Sequence, residues 1–89
     1  VNILCTYPLL RRFEALLRGR LGDGFSLAWL EPRDLDDGAR SFPGCDVVIS
    51  PRFPASWAPR FPGLRLLHAV GAGIDKIDLA ALPAGVRVC

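Results

Sequence analysis

Five apolar runs of four to six residues, at positions 2–5, 25–30, 46–50, 64–69 and 86–89, recur along the chain, and helical or turn-forming stretches separate them. Runs this short between turn signals read as strands, and those covered on both faces lack polar alternation. Strands that alternate with helical connections form βαβ units, whose right-handed crossovers lay them side by side in a parallel sheet.

The connections fit that reading. Thr6-Tyr7-Pro8 turns the chain after the first run, with Pro8 at a first helical position. Apolar residues at 9, 10, 13, 16, 17 and 21 form a helical stripe, and Arg11, Arg12, Glu14 and Arg18 fall on the opposite, solvated face. Gly22 and Gly24 end this helix. In residues 31–40, the most acidic stretch, Asp34, Asp36 and Asp37 suit a loop and the start of a weak helix. No hard-cation loop pattern surrounds them, so a metal is not expected there. Pro54, Pro59 and Pro62 limit the helix around Trp57 to a turn or two. Residues 78–82 form a short helix capped by Asp78 and stopped by Pro83-Ala84-Gly85. We therefore expect an α/β fold, a flavodoxin-like parallel sheet of order 2-1-3-4-5 with flanking helices, incomplete at the C-terminus.

Eighty-nine residues, 51% of them apolar, make one small domain with enough apolar side chains for a core. The net charge is only +2, and no Lys/Arg block or interleaved aromatics mark a nucleic-acid surface. No apolar run approaches the roughly 18 residues of a membrane span. The first residues lack the positive region of a signal peptide. Cys5, Cys45 and Cys89 follow neither a C-x-x-C nor a metal spacing, which suits a reducing cytoplasm. Cys5 and Cys89, at the ends of strand runs, read as small hydrophobes.

Chemistry concentrates in residues 64–78, where a strand empties into Gly71-Ala72-Gly73. Glycines let a ligand approach bare backbone N–H groups, and a nest of such groups beside a helix start favours a carboxylate or phosphate. An ordinary β-to-α turn has the same local pattern, and both readings stand at this level. A dinucleotide fingerprint would need glycine at position 76, where Lys76 stands, so this is not an NAD loop. In the expected sheet order the loops at 6–8, 50–53 and 70–73 meet beyond the carboxyl ends of the strands. Arg52 then lies beside the glycines as a second anion-holding element, or is simply an exposed loop arginine. No catalytic constellation accompanies them: His68 is the only histidine, with no Ser or Cys nucleophile in an elbow. The first strand is followed neither by the acidic cluster of a receiver domain nor by the phosphate loop of a flavodoxin.

The run Gly71-Ala72-Gly73-Ile74-Asp75-Lys76-Ile77-Asp78, with Ala80-Ala81 and then Gly85-Val86-Arg87-Val88, resembles the D-isomer-specific 2-hydroxyacid dehydrogenases. In that family the matching run belongs to the N-terminal, substrate-binding domain, and residues 47–52 look like its third strand and following loop. The resemblance implies that backbone N–H groups of Ala72 and Gly73 hold the substrate carboxylate. Val70, Gly71 and Arg52 would line the same cleft, with Tyr7 and Phe53 near it, while Asp75 and Asp78 cap and orient the turn. It also implies that residues 1–89 are the N-terminal part of the substrate-binding domain of a cytoplasmic, homodimeric enzyme. That enzyme interconverts 2-keto acids and D-2-hydroxy acids with NAD or NADP. The NAD-binding domain, with the catalytic Arg, Glu and His, would lie outside this chain. The chain alone would then be inactive, with no catalytic, cofactor or metal residues, and missing interdomain helices would leave apolar surface exposed. A second expectation is a free-standing α/β module that binds a small carboxylate or a regulatory partner without catalysis.

Overall fold

The computed structural model describes residues 1–37, 40–70 and 77–89. Strands β1 (Asn2–Cys5), β2 (Ser26–Trp29), β3 (Val47–Ser50), β4 (Leu66–Ala69) and β5 (Arg87–Val88) form one sheet of order β2-β1-β3-β4-β5. Every pairing is parallel, so the α/β sheet and its strand order follow the expectation. Register aligns Leu4 with Val48, Val48 with Leu67, and Leu67 with Val88, so these side chains share one face. The other face carries the row Trp29, Cys5, Ile49 and His68.

The first face holds the larger core. Helix α2 (Pro32–Asp37) supplies Leu35, and the 3-10 helix Ala55–Arg60 supplies Trp57 and Ala58. Phe53, Phe61 and Leu64 complete the cover over Leu4, Val48 and Leu67. Phe53 meets Trp57 edge-on at 5.9 Å between ring centroids, an arrangement favoured by the ring quadrupoles. Pro59 lies inside the Ala55–Arg60 turn, which keeps it short as its proline spacing implies.

The second face is covered unevenly. Helix α1 (Glu14–Leu21) and the 3-10 helix Pro8–Phe13 bring Leu10, Leu17 and Leu21 against Ile3, Cys5 and Leu27. Val47 and Ile49 remain half-buried, so β3 is not buried on both faces as its run of apolar residues suggested. The helical cover sits over β1 and β2, and no described helix extends it to β4.

Three connections differ from their sequence reading. Residues 8–21 are not one helix: a 3-10 segment changes to α-helix at Phe13, whose φ of −105° and ψ of 15° break the α geometry. The stripe consequently turns partly outward, and Leu9, Phe13 and Leu16 are exposed. Glu14 and Arg18 are not merely solvated: Glu14 accepts from Trp29 Nε1–H, and Arg18 Nη2 donates to Leu27 O at 2.9 Å. The expected helix at 78–82 shrinks to a 3-10 turn, Leu79–Ala81. Asp78 does cap that turn, accepting from Ala81 N–H at 3.3 Å. Glycine is required at Gly22, the C-cap of α1 with φ 76°. Among the described residues no helix is long and apolar enough to cross a membrane.

Candidate functional site

Ligands of open parallel sheets gather beyond the carboxyl ends of the strands, where the chain order reverses. Here that point lies between β1 and β3, because β1 leads to β2 on one side and pairs with β3 on the other. Thr6 and Ser50 close it. Thr6 N–H donates to Ile49 O at 2.9 Å, and Thr6 Oγ1–H donates to Ser50 Oγ at 2.6 Å. Both side chains are essentially inaccessible.

Ser50 also reaches the two neighbouring loops. Its hydroxyl donates to Arg52 O at 2.6 Å and accepts from Arg52 N–H at 3.3 Å, which folds the turn after β3 over the strand end. Its carbonyl accepts from Val70 N–H at 3.2 Å, at the exit of β4. The starts of the three loops expected to meet are thus joined through one residue. Sequence reading passed over Ser50 because a serine ending a strand has no distinctive spacing.

Arg52 emerges from this turn into a three-sided clamp. Its Nη2 donates to Asp36 Oδ2 at 2.6 Å, and its guanidinium lies 4.7 Å from the Trp57 ring centroid. Asp36 Oδ1 accepts from Trp57 Nε1–H at 2.9 Å, which closes the triangle. The Arg52 charge-assisted bond, followed by the Trp57 bond, holds the Asp36 carboxyl below the ordinary carboxylate range. A guanidinium stacked and anchored in this way has lost much of its rotamer freedom before any ligand arrives. One third of the Arg52 side chain remains exposed. Asp36 and Trp57 were not recognised as partners of Arg52, since they lie 16 residues before it and in a following turn.

Of the other expected site residues, Val70 is half-buried at the exit of β4. Gly71, Ala72 and Gly73, together with Asp75, lie outside the described residues. Their flanks are described and fixed: Ile77 pairs in parallel with Phe53, and Asp78 N–H donates to Phe53 O at 2.9 Å. Val70 and Asp78 are therefore both bonded to the segment that continues β3. Phe53 does not line a cleft: after the turn at Pro51 and Arg52 its ring is fully buried in the core against Trp57 and Phe61. Tyr7 packs half-buried on the α1 side of the sheet. A separate cavity of about 150 Å³ opens between the carboxyl ends of β1 and β2, lined by Thr6, Arg11, Trp29 and Asp34 among others. It lies across β1 from β3, and no sequence motif marked it. Among the described residues no group of three or more His, Cys, Asp or Glu side chains is gathered to hold a metal ion.

Comparison with protein-family models, with curated proteins and with solved structures finds no match to this chain.

Proposed function

We propose that this chain is the substrate-binding lobe of an NAD(P)-dependent oxidoreductase that interconverts 2-keto acids and D-2-hydroxy acids. Backbone N–H groups at Ala72 and Gly73 hold the substrate carboxylate, and Val70, Gly71 and Arg52 line the cleft. The reading begins with the resemblance of residues 71–88 to the D-isomer-specific 2-hydroxyacid dehydrogenases. The observation that carries it further is the anchoring on either side of the glycines. Val70 is bonded to Ser50 and Asp78 to Phe53, at the carboxyl end of the sheet, with the clamped Arg52 in the same turn. Fixed flanks reduce the ordering entropy that a carboxylate-binding loop must lose on binding.

The described residues do not fit a nicotinamide dinucleotide. A dinucleotide loop runs from a strand into a helix whose N-terminus faces the pyrophosphate. Here Ile77 is extended and paired with Phe53, and only the three-residue turn Leu79–Ala81 follows. Cofactor binding, hydride transfer and acid–base catalysis are accordingly assigned to a domain outside these 89 residues. What this chain contributes is carboxylate binding and orientation.

Titration calorimetry of the 89-residue chain with glyoxylate, pyruvate and hydroxypyruvate, against matched neutral alcohols, tests the proposal. Saturable heat is expected for the carboxylates alone, and Arg52→Ala should weaken binding several-fold. Equal responses to acids and alcohols, or none to either, would contradict it. With NADH and the same keto acids, the chain by itself is expected to show no oxidation.

A further inference from the structure

The cavity of about 150 Å³ at the carboxyl ends of β1 and β2 is lined by residues between Cys5 and Asp34. Its walls come from the end of β1, the 3-10 helix Pro8–Phe13, the end of β2 and the start of α2. The order β2-β1-β3-β4-β5 puts it at the edge of the sheet opposite β5, and none of its walls comes from β3 or any later residue. Backbone bonds hold the walls in place. Leu30 N–H donates to Cys5 O at 3.1 Å where β2 ends, and Asp34 N–H donates to Glu31 O at 3.0 Å. Leu10 N–H donates to Tyr7 O at 3.1 Å, in the turn that presents Arg11.

The uncharged polar groups of the lining are already engaged. Thr6 Oγ1–H donates to Ser50, the Cys5 thiol points to Tyr7 O, and Trp29 Nε1–H donates to Glu14. The last bond fixes the indole, whose ring is an apolar wall. The charged groups are in the opposite condition. Among the described residues, ion pairs join Glu14 to Arg18 and Arg52 to Asp36, which leaves Arg11, Glu31 and Asp34 around the cavity unpaired. One cation and two carboxylates thus border a small space that has an aromatic wall.

We propose that this cavity binds a small zwitterionic α-amino acid. Arg11 takes the carboxylate in charge-assisted hydrogen bonds, and Glu31 and Asp34 take the ammonium, which also meets the face of the Trp29 ring. A lone carboxylate meets the excess negative charge of Glu31 and Asp34, and a lone amine leaves Arg11 unused. The volume of about 150 Å³ equals that of about five water molecules at about 30 Å³ each, which suits a ligand of about six non-hydrogen atoms.

The test is an NMR titration of the 89-residue chain with L-alanine, resolved at amides and indoles. Propionate, which lacks the ammonium, and ethylamine, which lacks the carboxylate, are the controls. L-alanine is expected to give saturable shifts at the Trp29 indole and the amides of Leu30, Glu31 and Asp34, with an affinity about fivefold above either control. Arg11→Gln, at an exposed position, should weaken L-alanine about fivefold and leave ethylamine unchanged. Asp34→Asn, also exposed, should weaken L-alanine and ethylamine alike, both variants keeping the circular dichroism of the parent. Propionate or ethylamine bound as tightly as L-alanine would overturn the proposal. So would the absence of saturable shifts at these positions, or a folded Arg11→Gln chain that binds L-alanine as the parent does.

Discussion

A buried hydroxyl without a partner costs on the order of 1–3 kcal/mol, and Thr6 and Ser50 avoid that cost by bonding to one another. Ser50→Ala takes away the acceptor of Thr6 and both contacts to the Arg52 backbone. It is therefore expected to destabilise the chain by about 1–3 kcal/mol in urea unfolding; a change within about 0.5 kcal/mol would show the network to be incidental. Asp36 gives a pH signature. Its folded carboxyl is held low by Arg52 and Trp57, so ionisation favours the folded state. That contribution is complete above the ordinary carboxylate value of about 4 and disappears as pH falls through the lowered folded value. The melting temperature of Asp36→Asn should therefore fall less steeply than that of the parent on acidification below about pH 5. Identical acid slopes would mean that Asp36 and Arg52 are not coupled. Neither contact was legible beforehand. Gly71-Ala72-Gly73 announces itself through backbone chemistry, whereas the Asp36–Arg52 pair depends on how α2 and the turn after β3 come to face one another.

At the scale of elements, the strands were the most readable part, because apolar runs such as 46–50 and 64–69 have few other ways to fold. The parallel order then followed from alternation with helical connections. Helix 9–21 was less readable. Its stripe specifies an apolar face, but that pattern does not reveal that the first turns wind as 3-10 helix and leave Leu9, Phe13 and Leu16 in water. Between elements, close approach decides one position that sequence reading ignored. A Cβ added at Gly63 would lie 2.8 Å from the Pro43 carbonyl oxygen, and backbone cannot yield as a flexible side chain does. Gly63→Ala should therefore cost about 1–3 kcal/mol by forcing these two turns apart. Gly24→Ala, where the added atom meets open space, serves as the control. Equal stability of the two variants would contradict the packing described here.

Across the whole molecule the two faces of the sheet are unequal. Phe53, Trp57, Phe61 and Leu67 are fully buried on one side, while Val47 and Ile49 on the other are only half-covered. Together with exposed Leu9, Phe13 and Leu16, this leaves apolar area of the kind that promotes association. Sedimentation should accordingly show concentration-dependent self-association of the chain; a monomer at all concentrations with high thermal stability would contradict this. The same sheet gathers Ser50, Arg52 and Val70 at its carboxyl end. The most direct test is an amide-resolved NMR titration of the chain with glyoxylate. Saturable shifts are expected, centred on the amides of residues 70–73, with the Arg52 side-chain resonance moving in step. Shifts confined to the cavity beside Arg11 and Asp34, or no saturable shift anywhere, would contradict it.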